Sequence, residues 1–571
     1  MTIAPELQFS LLTEPIIRYR RASDGQTINA SLPDLFVALA ADEVRDYPAL
    51  RPHQRHPWHA FLVQLAAIAL HKAERTAVFE TAQEWRDALL ALTPDDPDGA
   101  AWCLVSPPDR PALLQAAVAG GSISEWKSEA CAADGIDMLV TSKNHDLKGS
   151  RARRAQPEDW LFALLSLQTQ EGFLGAGNYG ISRMNGGFAS KPGVGVAAVG
   201  LPGARWVRDI AALLARRDRT VEAHGFQDEG GLALVWLAPW DGLGSLAFTK
   251  LDPFYIEICR RIRLRSMGGK IMSVGTGSKA ARIAAKELNG LTGDAWTPID
   301  VEGGKALTIT SNGFNYKLVS ELMFGGKYQP PTAHNLDQPV SGSRLIFITQ
   351  GITRGQGKTE GYHERRVPIS PKVRGLLIAN QKAHLERIAS QRIAAIGEVR
   401  KLLWLALAVL FANGNSGDST EGNKAKASKF SAPFELAEDA RFFDDLNEEM
   451  EATDPAAQRL QWLLGLAERA AAILKTAFNA GPRSGIQKYR AQSAALSRFH
   501  GGLRSDKFPI PDLVNYYRQQ TIKRQEETRT VNLFSPKHSD ASLSRRVFRH
   551  TQVIEYQAGV AIELGHLFSD A

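Results

Sequence analysis

Apolar positions along this chain follow two regimes that meet near Pro371. Before it, hydrophobic runs are short and punctuated by glycine and proline; after it, they recur at helical spacing. In the first regime, Phe9 to Tyr19 predicts a strand pair near a turn at Ser23-Asp24-Gly25. Trp58 to Ala73 predicts an apolar helix, and Leu232 to Ala238 and Leu345 to Thr349 predict strands bounded by turn residues. In the second regime, Leu385, Ile388, Ile396, Val399, Leu403, Ala406 and Leu410 predict one long helix over 373–411. A polar loop follows from Asn413 to Ser428, then a second helix from Pro433 to Met450. Asp454-Pro455 supplies an N-cap and a first-turn proline for a third helix, carried by Leu460, Leu463, Leu464, Ala470, Ile473, Leu474 and Phe478. Gly481-Pro482 ends it, and Ile486 to Phe499 forms a fourth. Four antiparallel helices bury such stripes most simply as a bundle. The predicted class is α+β: a large mixed α/β N-terminal domain with long loops over 1–370, a C-terminal four-helix bundle over 371–508, and an extension over 509–571.

Composition changes this picture little. At 571 residues, with 44% hydrophobic and 23% charged content, the chain has the make-up of a globular protein with more than one domain. The net charge of +7 is too mild to name a partner, so clustering matters more. Basic residues concentrate at Lys143 to Arg154, at Arg260 to Arg265 and in the last sixty or so residues. Cys103, Cys131 and Cys259 form no CxxC pair, so neither a disulfide framework nor a cysteine zinc site is expected. The opening residues lack a signal-peptide pattern, and no run of about 18 apolar residues exists. A cytoplasmic protein without a membrane partner is the expectation.

The chemistry concentrates in residues 143–196. A basic loop (Lys143, Lys148, Arg151, Arg153, Arg154) precedes a short apolar helix. A glycine-rich stretch follows, Gly175-Ala176-Gly177-Asn178-Tyr179-Gly180 with Gly186-Gly187. It holds no acid, thiol or serine motif of catalytic type. Glycine lets a backbone approach a ligand closely, and neighbouring cations attract phosphates. The pair suggests a main chain laid against a nucleic-acid groove. A tight irregular loop and a solvated charged face are the competing local readings.

Two other motifs are weaker. Gly355-Gln356-Gly357-Lys358-Thr359 approaches a phosphate-binding loop, but Ile352 stands where the first glycine belongs and no apolar helix follows. His53, His56 and His59 sit three apart, but Pro52 and Pro57 interrupt the segment and no carboxylate or thiol lies nearby in sequence. They read as a turn entering the helix at Trp58. No metal and no cofactor are expected.

Taken in order, several segments resemble one family. Phe9-Ser10-Leu11-Leu12-Thr13-Glu14-Pro15 is similar to its opening. The glycine loop with Met184-Asn185-Gly186-Gly187 resembles its glycine-loop segment, and Gly293-Asp294-Ala295-Trp296-Thr297-Pro298 its GDPWxP element. Leu322-Met323-Phe324-Gly325-Gly326 resembles the stretch before its glutamine wedge, and the helical end its bundle. The family is the large subunit (CasA type) of the type I-E CRISPR Cascade complex, and the marks span about residues 8–505.

The resemblance implies a non-catalytic subunit that reads the protospacer-adjacent motif (PAM) from the minor groove and wedges the duplex open to start the R-loop. It also implies recruitment of a helicase-nuclease. Its partners would be the other Cascade subunits (backbone, small and crRNA-end), crRNA and target double-stranded DNA. Residue by residue, Gly175, Gly177 and Asn178 fall on the glycine loop. Gln329 is the wedge candidate, with Asn335 and Gln338 as rivals. Lys286 stands for the basic minor-groove contact of the PAM-binding set, with Lys279 as rival, and Lys143 to Arg154 for the crRNA-side loop. Two other function classes remain open at this point: a nucleotide-dependent or nuclease enzyme using Lys358 and Thr359, and a scaffold that only bridges proteins.

Overall fold

The computed structural model describes residues 7–139, 155–334, 344–355, 358–415 and 420–533. The basic loop residues Lys143, Lys148, Arg151, Arg153 and Arg154, the rivals Asn335 and Gln338, and the end of the predicted extension lie outside the described residues. The chain divides into two compact units. One takes its described residues from Met1–Arg400 and Ser428–Ile473, the other from Lys401–Ala427 and Leu474–Ala571.

The first unit begins with β1 (Gln8–Ser10), β2 (Ile17–Arg21), β3 (Thr27–Ala30), α1 (Leu32–Ala40) and β4 (Val44–Asp46). Next come α2 (Arg55–Lys72), α3 (Ala82–Leu90), β5 (Cys103–Val105), β6 (Ser128–Ala130), α4 (Pro157–Gln170) and β7 (Gly193–Ala198). Then follow α5 (Pro202–Leu214), α6 (Arg217–His224), β8 (Leu232–Leu234), β9 (Leu246–Ala247), β10 (Leu251–Ile256), β11 (Arg261–Met267) and β12 (Lys270–Thr276). The run ends with β13 (Ile283–Ala284), β14 (Ile299–Asp300), β15 (Lys305–Ala306), α7 (Tyr316–Phe324), β16 (Tyr328–Gln329), β17 (Leu345–Gly355) and β18 (Lys358–Ile369). The described strands pair into small sheets of two or three.

The core forms around α2. This helix is apolar on every side, which suits a helix enclosed all round, and fourteen of its residues are buried. Seven tryptophans (Trp58, Trp85, Trp102, Trp160, Trp206, Trp236 and Trp296) are almost wholly enclosed. Phe36 of α1 joins two of them, its ring centroid 4.6 Å from that of Trp85 and 5.3 Å from that of Trp206. Ser31 starts α1 with a capping box shared with Asp34, the serine and aspartate standing three residues apart as that motif requires.

Several expectations need correction. The turn at Ser23-Asp24-Gly25 joins β2 to β3, while β1 pairs with β5. The strand predicted over 232–238 stops at Leu234 and continues as a 3-10 turn. The long helix breaks into α8 (Pro371–Ile378) and α9 (Lys382–Phe411). Asn380 takes positive φ there, and the Gln381 amide closes the turn onto Leu376 O at 2.8 Å. Helix α10 (Glu421–Glu451) starts well before Pro433 and carries that proline inside it. Its polar first turns read as a loop in sequence, but Ala427 is fully buried and Lys426 reaches Ala480 O at 2.6 Å. Helices α11 (Pro455–Ala477), α12 (Gly485–Leu503) and α13 (Pro511–Leu533) complete the helical C-terminal region. As predicted, Asp454 caps α11, accepting the amides of Ala456 and Ala457 at 3.1 and 3.0 Å. The protein is thus a mixed helix-and-sheet body followed by a helical region.

Candidate nucleic-acid interface

The glycine-rich stretch folds as a closed, backbone-paired loop between α4 and β7. The amide of Asn178 donates to Gly175 O, and that of Leu174 to Asn178 O, each at 3.0 Å. Gly175 and Gly177 take φ of 112° and 84°, a region that L-residues rarely enter. At the base of the loop, a Cβ on Gly172 would sit 2.4 Å from the carbonyl oxygens of Ala189 and Gly187. Glycine is therefore needed there for close backbone approach and at the tip for its dihedral. Asn178, Ala176 and Leu174 are exposed.

A second turn flanks this loop. Ser278 N donates to Gly177 O at 3.0 Å, and Tyr179 Oη donates to Lys279 O at 3.1 Å. Exposed Lys279 thus adjoins the glycine tip directly. Lys286 lies further along, exposed in a short 3-10 turn that ends at Asn289 with positive φ. Glu287 beside it is exposed as well, so this lysine stands in mixed charge.

Gln329 is exposed at the end of β16, its backbone paired with Ile299 of β14. Pro330-Pro331 follow, and Ala333 then anchors the chain. Ala333 is fully buried, its amide donates to Ala295 O at 2.8 Å, and its carbonyl accepts from Arg208 Nη1 at 3.2 Å. Gln329 therefore sits on a short arm fixed at both ends.

One strand links these elements. β15 pairs with β14, and β14 with β16. Ala306 of β15 accepts from Asn185 Nδ2 at 2.9 Å, and its amide donates to Asn289 O at 2.9 Å. The glycine segment, the Lys286 turn and the Gln329 arm thus tie into a single small sheet.

Beneath the glycine segment lies a buried ionic cluster that sequence reasoning did not assign. Asp294 Oδ2 accepts from Lys191 Nζ at 2.7 Å and from Arg183 Nη1 at 3.0 Å. Burial pushes the Asp294 carboxyl up, but the adjacent Lys191 and Arg183 more than offset this and hold it well below the usual range. Lys191 is in turn lowered by burial. The guanidinium of Arg183 stacks 3.9 Å over the Tyr255 ring. The signal for this cluster was the Gly293-Asp294-Ala295-Trp296 motif, visible in sequence without its partners.

The basic run at Arg260 to Arg265 is largely engaged within the protein. Arg260 donates to Gly172 O at 3.0 Å and to Tyr179 O, bracing the glycine loop from below. Arg263 is buried, its two terminal nitrogens donate to the carbonyls of Ser106, Pro107, Arg110, Gln115 and Ala116, and burial lowers it to about 10. Arg265 pairs with Glu129 at 2.5 Å.

The three histidines also part company. His53 lies 2.9 Å from Asp137 and His59 2.8 Å from Asp209, carboxylates distant in sequence. His56 packs edge-on toward Trp296, with ring centroids 5.9 Å apart. His56 and His59 lie inside α2 rather than in a turn before it. Among the described residues no group of three or more His, Cys, Asp or Glu side chains could hold a metal ion, and no helix is long and apolar enough to cross a membrane. Lys358 and Thr359 open β18, which returns antiparallel to β17 where a phosphate loop requires a helix.

No family model matches the chain, and no curated protein matches it in sequence. Solved structures do match. A structure of CasA from Thermus thermophilus superposes with a TM-score of 0.61 at 16% identity, covering 86% of this chain and 98% of that one. A second structure of Thermus thermophilus CasA (Cse1) gives 0.59 at the same identity and coverage. Cse1 from Acidimicrobium ferrooxidans gives 0.56 at 16% identity, over 90% and 99% of the two chains. The likeness runs through nearly the whole of those proteins, and the chain has the fold of the CasA (Cse1) proteins.

Proposed function

We propose that this protein is the non-catalytic large subunit of a crRNA-guided surveillance complex. It reads a short motif in the minor groove of target DNA and opens the adjoining duplex. The observation that carries this reading is the single small sheet into which Asn185, in the glycine-rich segment after the loop, the Lys286 turn and the exposed Gln329 arm all tie. In this reading the loop of Gly175, Gly177 and Asn178 lays its backbone against base edges, where the minor groove offers only a degenerate code. Lys279 and Lys286 add sequence-blind attraction to phosphates. Gln329 enters the stack beneath the motif. Unstacking costs a few kcal/mol per step, and an amide on a fixed arm offsets part of it by hydrogen bonding to the exposed bases. R-loop exchange is otherwise near balance, so a wedge at its starting end decides whether it begins. The CasA-type fold supports the reading. Partner subunits, crRNA and a recruited helicase-nuclease belong to the same proposal, as does a bundle formed by the C-terminal helices.

The test is binding of the reconstituted complex, with and without this chain, to duplexes carrying a randomised flanking motif. Selection of particular motifs only when the chain is present is the expected result. Equal binding without it would reduce the chain to a scaffold. Gln329→Ala should leave assembly intact and weaken binding to intact duplex about tenfold, roughly 1.4 kcal/mol, with a smaller loss on pre-melted target.

A further inference from the structure

The turn at Asp294–Thr297 touches both halves of the proposed interface. On the glycine side, the Asp294 carboxylate takes Arg183 and Lys191, the residues that close the glycine segment toward β7. Trp296 O accepts the Val194 amide at 2.8 Å. On the glutamine side, Ala295 O accepts the amide of Ala333, four residues beyond Gln329. The turn is itself held by Asp294, whose Oδ1 accepts from Trp296 N at 3.0 Å and Thr297 Oγ1 at 2.9 Å. Both carboxylate oxygens are thus fully engaged, at a side chain only 1% exposed. A second contact runs parallel to it: Arg208 Nη1 bonds Val196 O at 2.7 Å as well as Ala333 O, and a Cβ on Gly195 would meet the Ala333 methyl at 3.2 Å.

We propose that Asp294 is a positioning residue: through its turn it holds the glycine loop and the Gln329 arm at one fixed spacing, and that spacing sets how far the wedge lies from the motif being read. The second half of this statement rests on the proposed function; the first stands on the geometry alone. A carboxylate suits the task because it collects two buried cations and two turn donors at once, which no neutral side chain does. A buried and fully satisfied polar group of this kind specifies one arrangement where apolar packing tolerates several.

The experiment separates the two halves. In the full-length chain with Cys131→Ser, spin labels are placed at Ala176→Cys and Gln329→Cys, the other two cysteines being buried. Their distance distribution is measured by pulsed electron resonance in three backgrounds: Asp294, the charge-balanced pair Asp294→Asn with Lys191→Met, and the milder Thr297→Val, which removes one turn donor without uncovering a charge. The expected result is one narrow distance with Asp294, at least a doubled width in the balanced pair, and an intermediate width in Thr297→Val. Thr297→Val still decides the matter if the balanced pair does not fold. An unchanged narrow distribution in the folded variants overturns the positioning role. Motif selectivity of the reconstituted complex is then read with the same substitutions but without labels, and should fall at least fivefold alongside the broadening. Broadening with undiminished selectivity overturns the link to motif reading. A complex that shows no selectivity even with Asp294 sinks the proposed function and leaves the distance result standing.

Discussion

Acid should loosen this protein well above the range in which carboxylates protonate, and His59 is where the effect can be worked out. Its side chain is 12% exposed and its Nε2 lies 2.8 Å from Asp209. That carboxylate already faces Arg208 at 2.9 Å and Arg205 at 3.6 Å, so a third positive charge gains little from it. Burial, reinforced by Arg205, lowers His59 to about 4. His334 is lowered to about 4 as well, by burial and then by Lys382 and Arg208. A free histidine titrates near 6.5, so below that value the unfolded chain takes up protons that the folded chain refuses. Stability is therefore complete above about pH 6.5 and is lost progressively as pH falls toward 4. At pH 5 the loss is about 2 kcal/mol per histidine, from 1.36 kcal/mol per unit. Glu171 and Glu257 are raised by burial and act in the opposite sense, so the informative quantity is the difference made by one variant. His59→Gln keeps a donor for Asp209 and removes the titration. Urea unfolding followed by circular dichroism at pH 7.5 and pH 5 should show the variant losing about 2 kcal/mol less than the parent. Equal losses in the two proteins would refute the reasoning.

Three further outcomes are open to simple measurement. Gly172→Ala places a methyl group 2.4 Å from two carbonyl oxygens and should cost about 2–3 kcal/mol, whereas Gly186→Ala, with φ of 80° and open space around it, should cost about 1 kcal/mol; thermal denaturation gives the order. Arg392→Ala leaves buried Glu449 to Arg459, 3.9 Å away, and should cost about 3–5 kcal/mol, while Arg20→Ala, whose pair with Asp46 is exposed on both sides, should cost far less. Lys279→Ala and Lys286→Ala should each lower the salt dependence of duplex binding by about one unit of slope without changing motif preference, as read by titration at several salt concentrations.

What the sequence disclosed depended on how far apart the interacting residues lie. The helical spacing of α9 and α11 and the cap at Asp454 are local, and they were legible. The strands of the candidate site were not: β14, β15 and β16 are two residues long, too short for any alternation to register. The start of α10 was hidden because Glu421 to Lys424 are as polar as a loop. His53 and His59 seemed to lack carboxylate partners because Asp137 and Asp209 lie 84 and 150 residues away. The glycine loop was legible through its positive-φ residues. The Asp294 cluster that fixes it was not, since Arg183 and Lys191 precede Asp294 by 111 and 103 residues. Arg260 and Arg263 looked like a basic patch because sequence alone does not say which cations carbonyl groups enclose.

The arm that carries Gln329 behaves as an exchangeable tip on a permanent handle. Its backbone is held by Ile299 on one side and Ala333 on the other, while residue 329 itself is exposed. Selection can therefore replace the residue at this position, with an aromatic, a cation or a shorter amide, without rebuilding the body that presents it. Under the proposed function, divergence in what such a protein recognises would accumulate at the tip, ahead of any change in the architecture behind it.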